Sequence, residues 1–194
     1  DFQAAMIAPC YISLAKDVLK GTGIQVASTL NFPQANDTLD MKLAALKEMI
    51  KTGVDQFDFP PNPGLLIGGE EKAYFEEMKQ IVEVAHASGV IVKSMLEFGF
   101  LNEEQKKKAA QLACEAGIDW VKQSSGWGVG GCAATVEDVK ILKENISLPC
   151  RVKVSGKVNS LEKMKMMFEA GAELVGTSSG PEIIEGLIGD PNAY

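Results

Sequence analysis

Lys122 stands in Ile118-Asp119-Trp120-Val121-Lys122-Gln123-Ser124-Ser125-Gly126, where a primary amine ends a short apolar run that opens into a Ser/Gly loop. An amine so placed can attack a carbonyl and form a Schiff base, provided that it is neutral. Lys153 repeats the arrangement in Cys150-Arg151-Val152-Lys153-Val154-Ser155-Gly156. If the two runs are neighbouring parallel strands, they lie roughly 4.8 Å apart, close enough for two inward ammonium groups to repel. Each then favours the neutral form of the other, and burial acts in the same direction. The expectation is a neutral, nucleophilic Lys122 beside a charged Lys153. Asp58, in Phe57-Asp58-Phe59-Pro60, is an acid among apolar neighbours at another strand end, suited to relaying protons. The same three residues would serve equally as loop charges in ordinary ion pairs, and spacing does not choose between the two. Period two also puts Arg151 on the face of Lys153, and Lys93 on the face of Met95 and Glu97, so several charges would line one side of the sheet.

Two glycine-rich stretches accompany these residues. Gly176-Thr177-Ser178-Ser179-Gly180-Pro181-Glu182 passes from a strand through small hydroxyl residues into a helix start, where backbone amides can face a phosphate. It also reads as a Ser/Thr helix cap with no ligand. Gly126-Trp127-Gly128-Val129-Gly130-Gly131 is rich enough in glycine to turn the chain, which by itself implies no ligand.

The elements that must position these residues follow one cadence: an apolar run, a polar or Gly/Pro loop, then an amphipathic helix ending in Gly. Strands are expected at Ala4 to Pro9, Ile24 to Phe32, Val54 to Phe59, Val90 to Phe98, Ile118 to Ser124, Arg151 to Ser155 and Glu173 to Thr177. Helices are expected at Ile12 to Lys20, Thr38 to Thr52, Glu71 to Ser88, Glu103 to Ala116, Val136 to Asn145, Leu161 to Ala170 and Glu182 to Ile188. Gly53, Gly89, Gly117 and Gly171 sit where a left-handed helix end is needed, and Asp37, Asn102, Thr135 and Ser160 sit where a side-chain oxygen can cap a helix start. Leu43, Leu46, Met49 and Ile50, and again Leu161, Met164, Met167 and Phe168, form stripes suited to packing on a sheet. Consecutive βα units give parallel strands with right-handed crossovers, in an open doubly wound sheet or a closed barrel. No Gly-x-Gly-x-x-Gly opens the first helix, whereas polar residues recur at many C-terminal strand ends: Asn31, Asp58, Glu97, Lys122, Lys153 and Ser178. That distribution predicts an α/β barrel of the TIM type.

The 194 residues, 46% apolar and 23% charged, suit one domain over 1–194. A net charge of -7 argues against nucleic acid or an anionic membrane as partner and leaves a small molecule. Neither a membrane-length apolar run nor a secretory leader is found, so the cytoplasm is the expected location. Cys10, Cys114, Cys132 and Cys150 are dispersed without metal-ligand spacing and read as buried free thiols, and His86 reads as an ordinary helix residue.

From about Ala4 to Leu187 the chain resembles the deoxyribose-phosphate aldolases, class I aldolases with a TIM-barrel fold. The resemblance is carried by Asn31-Phe32-Pro33-Gln34-Ala35-Asn36-Asp37, Gly53-Val54-Asp55-Gln56-Phe57-Asp58, Lys93-Ser94-Met95-Leu96-Glu97, Asp119-Trp120-Val121-Lys122-Gln123-Ser124-Ser125-Gly126, Lys153-Val154-Ser155-Gly156 and Gly176-Thr177-Ser178-Ser179-Gly180. It implies Lys122 as the Schiff-base lysine, Lys153 as the lysine that tunes it and Asp58 as the proton-relay acid. Gly126, Gly156, Lys157, Gly176, Ser178 and Ser179 are implied at the phosphate end of the substrate. The implied reaction is reversible cleavage of 2-deoxyribose 5-phosphate to acetaldehyde and glyceraldehyde 3-phosphate. No metal or organic cofactor is implied, and a homo-oligomer, dimer or tetramer, is expected.

The chain departs from the family pattern in three places. The family has a further strand and an Asp/Thr/Leu-bearing segment ahead of the unit that starts here at Phe2, so the expected barrel lacks its first βα unit. Trp127 stands where Gly is usually followed by Lys or Phe, and Gly156-Lys157-Val158-Asn159 replaces Gly-Gly-Val/Ile-Arg, leaving Lys157 as a point charge without a bidentate fork. These changes keep two other readings open, a noncatalytic sugar-phosphate-binding relative and a lysine aldolase with another acceptor. Some family members end, as this chain does at Tyr194, in a tyrosine that can reach the active site; a frayed terminus is the other reading.

Overall fold

Apolar residues alternate with polar ones in the strands so that one side faces helices and the other a central cavity. Phe57 and Phe59, Val121, and Val152 and Val154 are fully buried beneath the helices, while Gln56, Asp58, Lys122, Lys153 and Ser155 turn to the cavity. Burying each large apolar side chain contributes about 1.5–3 kcal/mol. The computed structural model describes residues 2–190; Asp1 and residues 191–194, with Tyr194, lie outside the described residues.

The strands are β1 Ala4–Met6, β2 Gln25–Thr29, β3 Gln56–Phe59, β4 Ile91–Met95, β5 Trp120–Lys122, β6 Arg151–Ser155 and β7 Leu174–Gly176. Among the described residues they pair in sequence order, all parallel, into one curled seven-stranded sheet. This is the TIM-type α/β architecture that the cadence predicts, and seven strands fit a barrel short of one βα unit. The register sets the chemistry: Asp58 pairs with Lys93, Met95 with Lys122, and Lys122 with Lys153. Three successive interfaces thus bring one carboxylate and three amines to the C-terminal side of β3 to β6. The strands are shorter than the apolar runs, because β2 stops at Thr29 and β5 at Lys122, and the residues beyond become site loops.

The helices are α1 Ile12–Val18, α2 Leu39–Lys51, α3 Pro63–Ile67, α4 Glu71–His86, α5 Glu103–Glu115, α6 Val136–Glu144, α7 Leu161–Ala170 and α8 Gly180–Ile184. Helix α5 starts on a reciprocal capping box between Asn102 and Gln105, and Thr135 and Ser160 cap α6 and α7 as expected. The cap of α2 is Thr38 rather than Asp37, since Thr38 is the residue whose oxygen receives the Met41 amide. Helix α3 was not anticipated: Pro60-Pro61-Asn62-Pro63-Gly64 reads as loop, yet Pro63 occupies the first helical turn and Asn62 caps it through the Gly64 amide. Helix α8 starts two residues earlier than expected and ends at Ile184, short of Ile188. Of the two expected stripes, all four residues of the first, Leu43, Leu46, Met49 and Ile50, pack on the core from α2, whereas on α7 only Met164 and Met167 do; Leu161 and Phe168 stay 41% and 45% exposed.

At the opposite, N-terminal side of the sheet, carboxylates clip strand starts. Asp55 accepts the Val26 amide at 2.7 Å and pairs with Lys16, and Asp119 accepts the Val92 amide at 2.8 Å and meets His86 Nε2 at 2.9 Å. Arg151 belongs to this end as well, stacked over the Trp120 ring 5.5 Å from its centroid, so it is not a cavity charge. Of the four thiols only Cys150 is buried; Cys114 and Cys132 are half-buried and Cys10 is exposed, because its short helical turn lies on the surface.

Candidate active site

The cluster grows from residues that alternate inward on four adjacent strands. Lys153 Nζ lies 2.6 Å and Lys122 Nζ 3.1 Å from Asp58 Oδ2, and Lys93 Nζ lies 3.3 Å from Oδ1. The four side chains are at most 7% exposed. Burial alone would raise the Asp58 carboxyl, but Lys153, Lys122 and Lys93 outweigh it and hold the group well below the usual carboxylate range. One carboxylate cannot neutralise three ammonium groups. Burial pushes Lys93 and Lys153 down to about 8 each, with Asp58 opposing the shift and the neighbouring lysines adding to it.

Lys122, Lys153 and Asp58, which sequence reasoning brought together, therefore meet in one buried cluster. In the sequence Lys93 reads as a charge on the face of Met95 and Glu97 and as part of a family motif, with no role of its own. Its signal was a lysine in mid-run, Ile91-Val92-Lys93-Ser94-Met95, a position where burial without a carboxylate partner is costly. Glu97 is separate from this cluster. It is buried at 3% exposure on left-handed backbone (φ 50°) and receives the Ser125 amide and the Ser124 hydroxyl. Burial pushes its carboxyl up, and these hydrogen bonds partly reverse the push.

The cluster forms one end of a cavity of about 630 Å³, walled by Ala27, Thr29, Met95, Ser155, Leu174 and residues of β1. Phe32 and Trp127 line it from the loops after β2 and β5, their rings edge to face with centroids 6.3 Å apart.

The six residues expected at the phosphate end stand at the ends of β5, β6 and β7 and in the loops that follow them. Gly176 and Ser178 line the cavity, and Gly176 leaves room for Lys153, whose Cε would lie 3.3 Å from a Cβ there. Ser179 is 2% exposed and lies beneath Gly189, where a Cβ would meet the Ser179 hydroxyl at 2.0 Å. Gly189 in turn donates its amide to the Asn159 carbonyl at 2.8 Å. Gly156 is buried against the Cys132 carbonyl, Lys157 is exposed on left-handed backbone (φ 61°), and Gly126 donates its amide to Ser124 Oγ at 3.0 Å. Among the described residues no cluster of three or more His, Cys, Asp or Glu suits a metal ion.

A parallel α/β barrel with buried lysines converging on a carboxylate at its C-terminal strand ends is an arrangement suited to Schiff-base chemistry on carbonyl compounds. A deoxyribose-phosphate aldolase of Caldanaerobacter subterraneus subsp. tengcongensis is 37% identical over 95% of this chain and 79% of its own length. The deoxyribose-phosphate aldolase of Staphylococcus carnosus is 40% identical over 97% of this chain and 84% of its own. Among solved structures, the tetrameric deoxyribose phosphate aldolase from Aeropyrum pernix superposes with a TM-score of 0.85 at 26% identity, covering 95% of this chain and 76% of that one. No protein-family model matches the chain. The chain belongs to the deoxyribose-phosphate aldolase family.

Proposed function

We propose that the chain cleaves 2-deoxy-D-ribose 5-phosphate reversibly into acetaldehyde and D-glyceraldehyde 3-phosphate through a Schiff base on Lys122. The observation that carries this reading is Asp58 ringed by Lys93, Lys122 and Lys153, all buried at the cavity end. In the proposed sequence the Lys122 amine adds to the C1 aldehyde of the open-chain sugar, and loss of water from the carbinolamine leaves an iminium. The C3 hydroxyl gives up its proton, the C2–C3 bond breaks, and its electron pair moves into the iminium to leave an enamine on Lys122 as glyceraldehyde 3-phosphate departs. Protonation at C2 and hydrolysis then release acetaldehyde and the free amine. Lys93 and Lys153, near 8, are poised to take up and return these protons close to neutral pH. Asp58 holds the amines together, its negative charge shared among them.

Acetaldehyde with borohydride should alkylate Lys122, and Lys122→Ala should abolish both the adduct and turnover in an assay of deoxyribose 5-phosphate cleavage. An adduct on Lys93 or Lys153 instead would reject the assignment. Phosphorylated sugar and aldehyde substrates and assembly of identical subunits belong to the same proposal, the latter supported by the tetrameric Aeropyrum pernix relative.

The coverage of Ser179 by Gly189, together with Trp127 at the cavity, favours a second reading in which the lysine chemistry is kept and the acceptor differs. Comparing kcat/KM for deoxyribose 5-phosphate and plain deoxyribose separates them: a strong preference for the phosphorylated sugar supports the first, its absence the second.

A further inference from the structure

Strands β4 and β5 keep pairing beyond their regular ends, since Leu96 donates its amide to the Lys122 carbonyl and Phe98 donates its amide to the Gln123 carbonyl, both at 2.8 Å. Glu97 lies between these two bonds on left-handed backbone, a conformation uncommon for a residue with a Cβ. Its carboxylate reaches across the end of β5, where Oε1 receives the Ser125 amide at 3.0 Å and Oε2 the Ser124 hydroxyl at 3.3 Å. Ser124 Oγ also receives the amides of Gly126 and Cys132, both at 3.0 Å. One hydroxyl thus gathers the two ends of the loop 126–132, and one buried carboxylate grips that hydroxyl. The loop is seated closely on the segment after β4. A Cβ on Gly99 would meet the Gly130 carbonyl oxygen at 2.5 Å, and one on Gly130 would overlap the Phe100 ring. From this loop Trp127 faces Phe32 at the cavity.

We infer that Glu97 is a positioning residue: by holding Ser124 and Ser125 it fixes the chain just beyond Lys122 and keeps the Trp127 loop seated on the segment after β4. A buried carboxylate is costly unless its oxygens are hydrogen-bonded, and both Glu97 oxygens receive bonds from the segment directly after Lys122. The inference rests on the reading of Lys122 as the Schiff-base lysine. Misplacing a reacting group by about 1 Å lowers rates on the order of 100-fold, which sets the expected scale.

The test compares Glu97→Ala, Glu97→Gln and Ser124→Ala with the unaltered chain in deoxyribose 5-phosphate cleavage, in borohydride trapping with acetaldehyde, and in tryptophan emission. Emission from Trp127 is separated from that of Trp120 by repeating each measurement in a Trp127→Phe background. Glu97→Ala should lower kcat by about 10- to 100-fold, slow trapping at Lys122 and make Trp127 more accessible to acrylamide. Glu97→Gln, which keeps an acceptor oxygen, should recover most of the loss. Combining Glu97→Ala with Ser124→Ala should be little worse than Glu97→Ala alone, because both act through one contact. A Glu97→Ala protein with unchanged kcat and Trp127 quenching overturns the inference, and so do losses that multiply in the double variant. If Glu97→Ala does not fold, Glu97→Gln and Ser124→Ala carry the same comparison through kcat and Trp127 quenching. Absence of an adduct at Lys122 in the unaltered chain would remove the Schiff-base reading, while the quenching comparison would still decide whether Glu97 holds the loop.

Discussion

At the scale of single residues, three lysines crowd one aspartate. Lys93 and Lys153 fall to about 8 from 10.5, so an unfolded chain binds more protons than the folded one between those values. Stability therefore rises with pH across that window and is lowest below it. Denaturant unfolding at pH 7.5 and at pH 10 should show this rise, and Lys153→Leu should flatten it. The same substitution removes one repelling neighbour, so the alkaline shift of the rate profile is the second expected result; an unchanged profile would reject electrostatic tuning. Asp58→Asn leaves the buried amines without their counter-charge, a change that typically costs about 3–5 kcal/mol. It should lower the denaturation midpoint as well as the rate, with the larger stability loss below pH 8, where Lys93 and Lys153 carry protons. Lys122, Lys153 and Asp58 were legible because each is a charge in or at the end of a short apolar run that leads into a Ser, Gly or Pro loop. Lys93 was not, because nothing in a single strand shows that the neighbouring strand supplies a carboxylate in register.

Among the elements, the cadence of apolar run, loop and helix gave the order of all seven strands, and the glycines after the helices marked several returns to the sheet. Gly53, Gly89, Gly117 and Gly171 do adopt positive φ, from 69° to 114°. Helix α3 escaped because Pro60, Pro61 and Pro63 together signal a loop, whereas Pro63 in a first turn is compatible with a helix. The packing of the motif Gly176-Thr177-Ser178-Ser179 is likewise not readable locally, because Gly189, ten residues beyond Ser179, lies against the Ser179 side chain. Gly176 offers a direct test of packing inside the site. Its backbone needs no left-handed geometry, so Gly176→Ala should fold normally yet crowd the Lys153 side chain, lowering kcat more than it lowers the thermal midpoint. Equal activity in a folded Gly176→Ala protein would show that Lys153 can move aside without loss.

For the whole molecule, the pairing order runs from β1 to β7. Light scattering should give a mass that is a whole multiple of 20.8 kDa and greater than one subunit, as the oligomeric part of the proposed function requires. The four charged residues come from β3 to β6, the middle of that order, whereas β1 and β7 contribute Ala4, Ala5, Met6, Leu174 and Val175 to the cavity wall. The charged cluster and these apolar wall residues therefore lie on different parts of the sheet. An engineer could recontour the β1 and β7 walls to admit bulkier aldehydes while leaving the amine–carboxylate circuit untouched, so that selectivity and reactivity can be varied as separate dials.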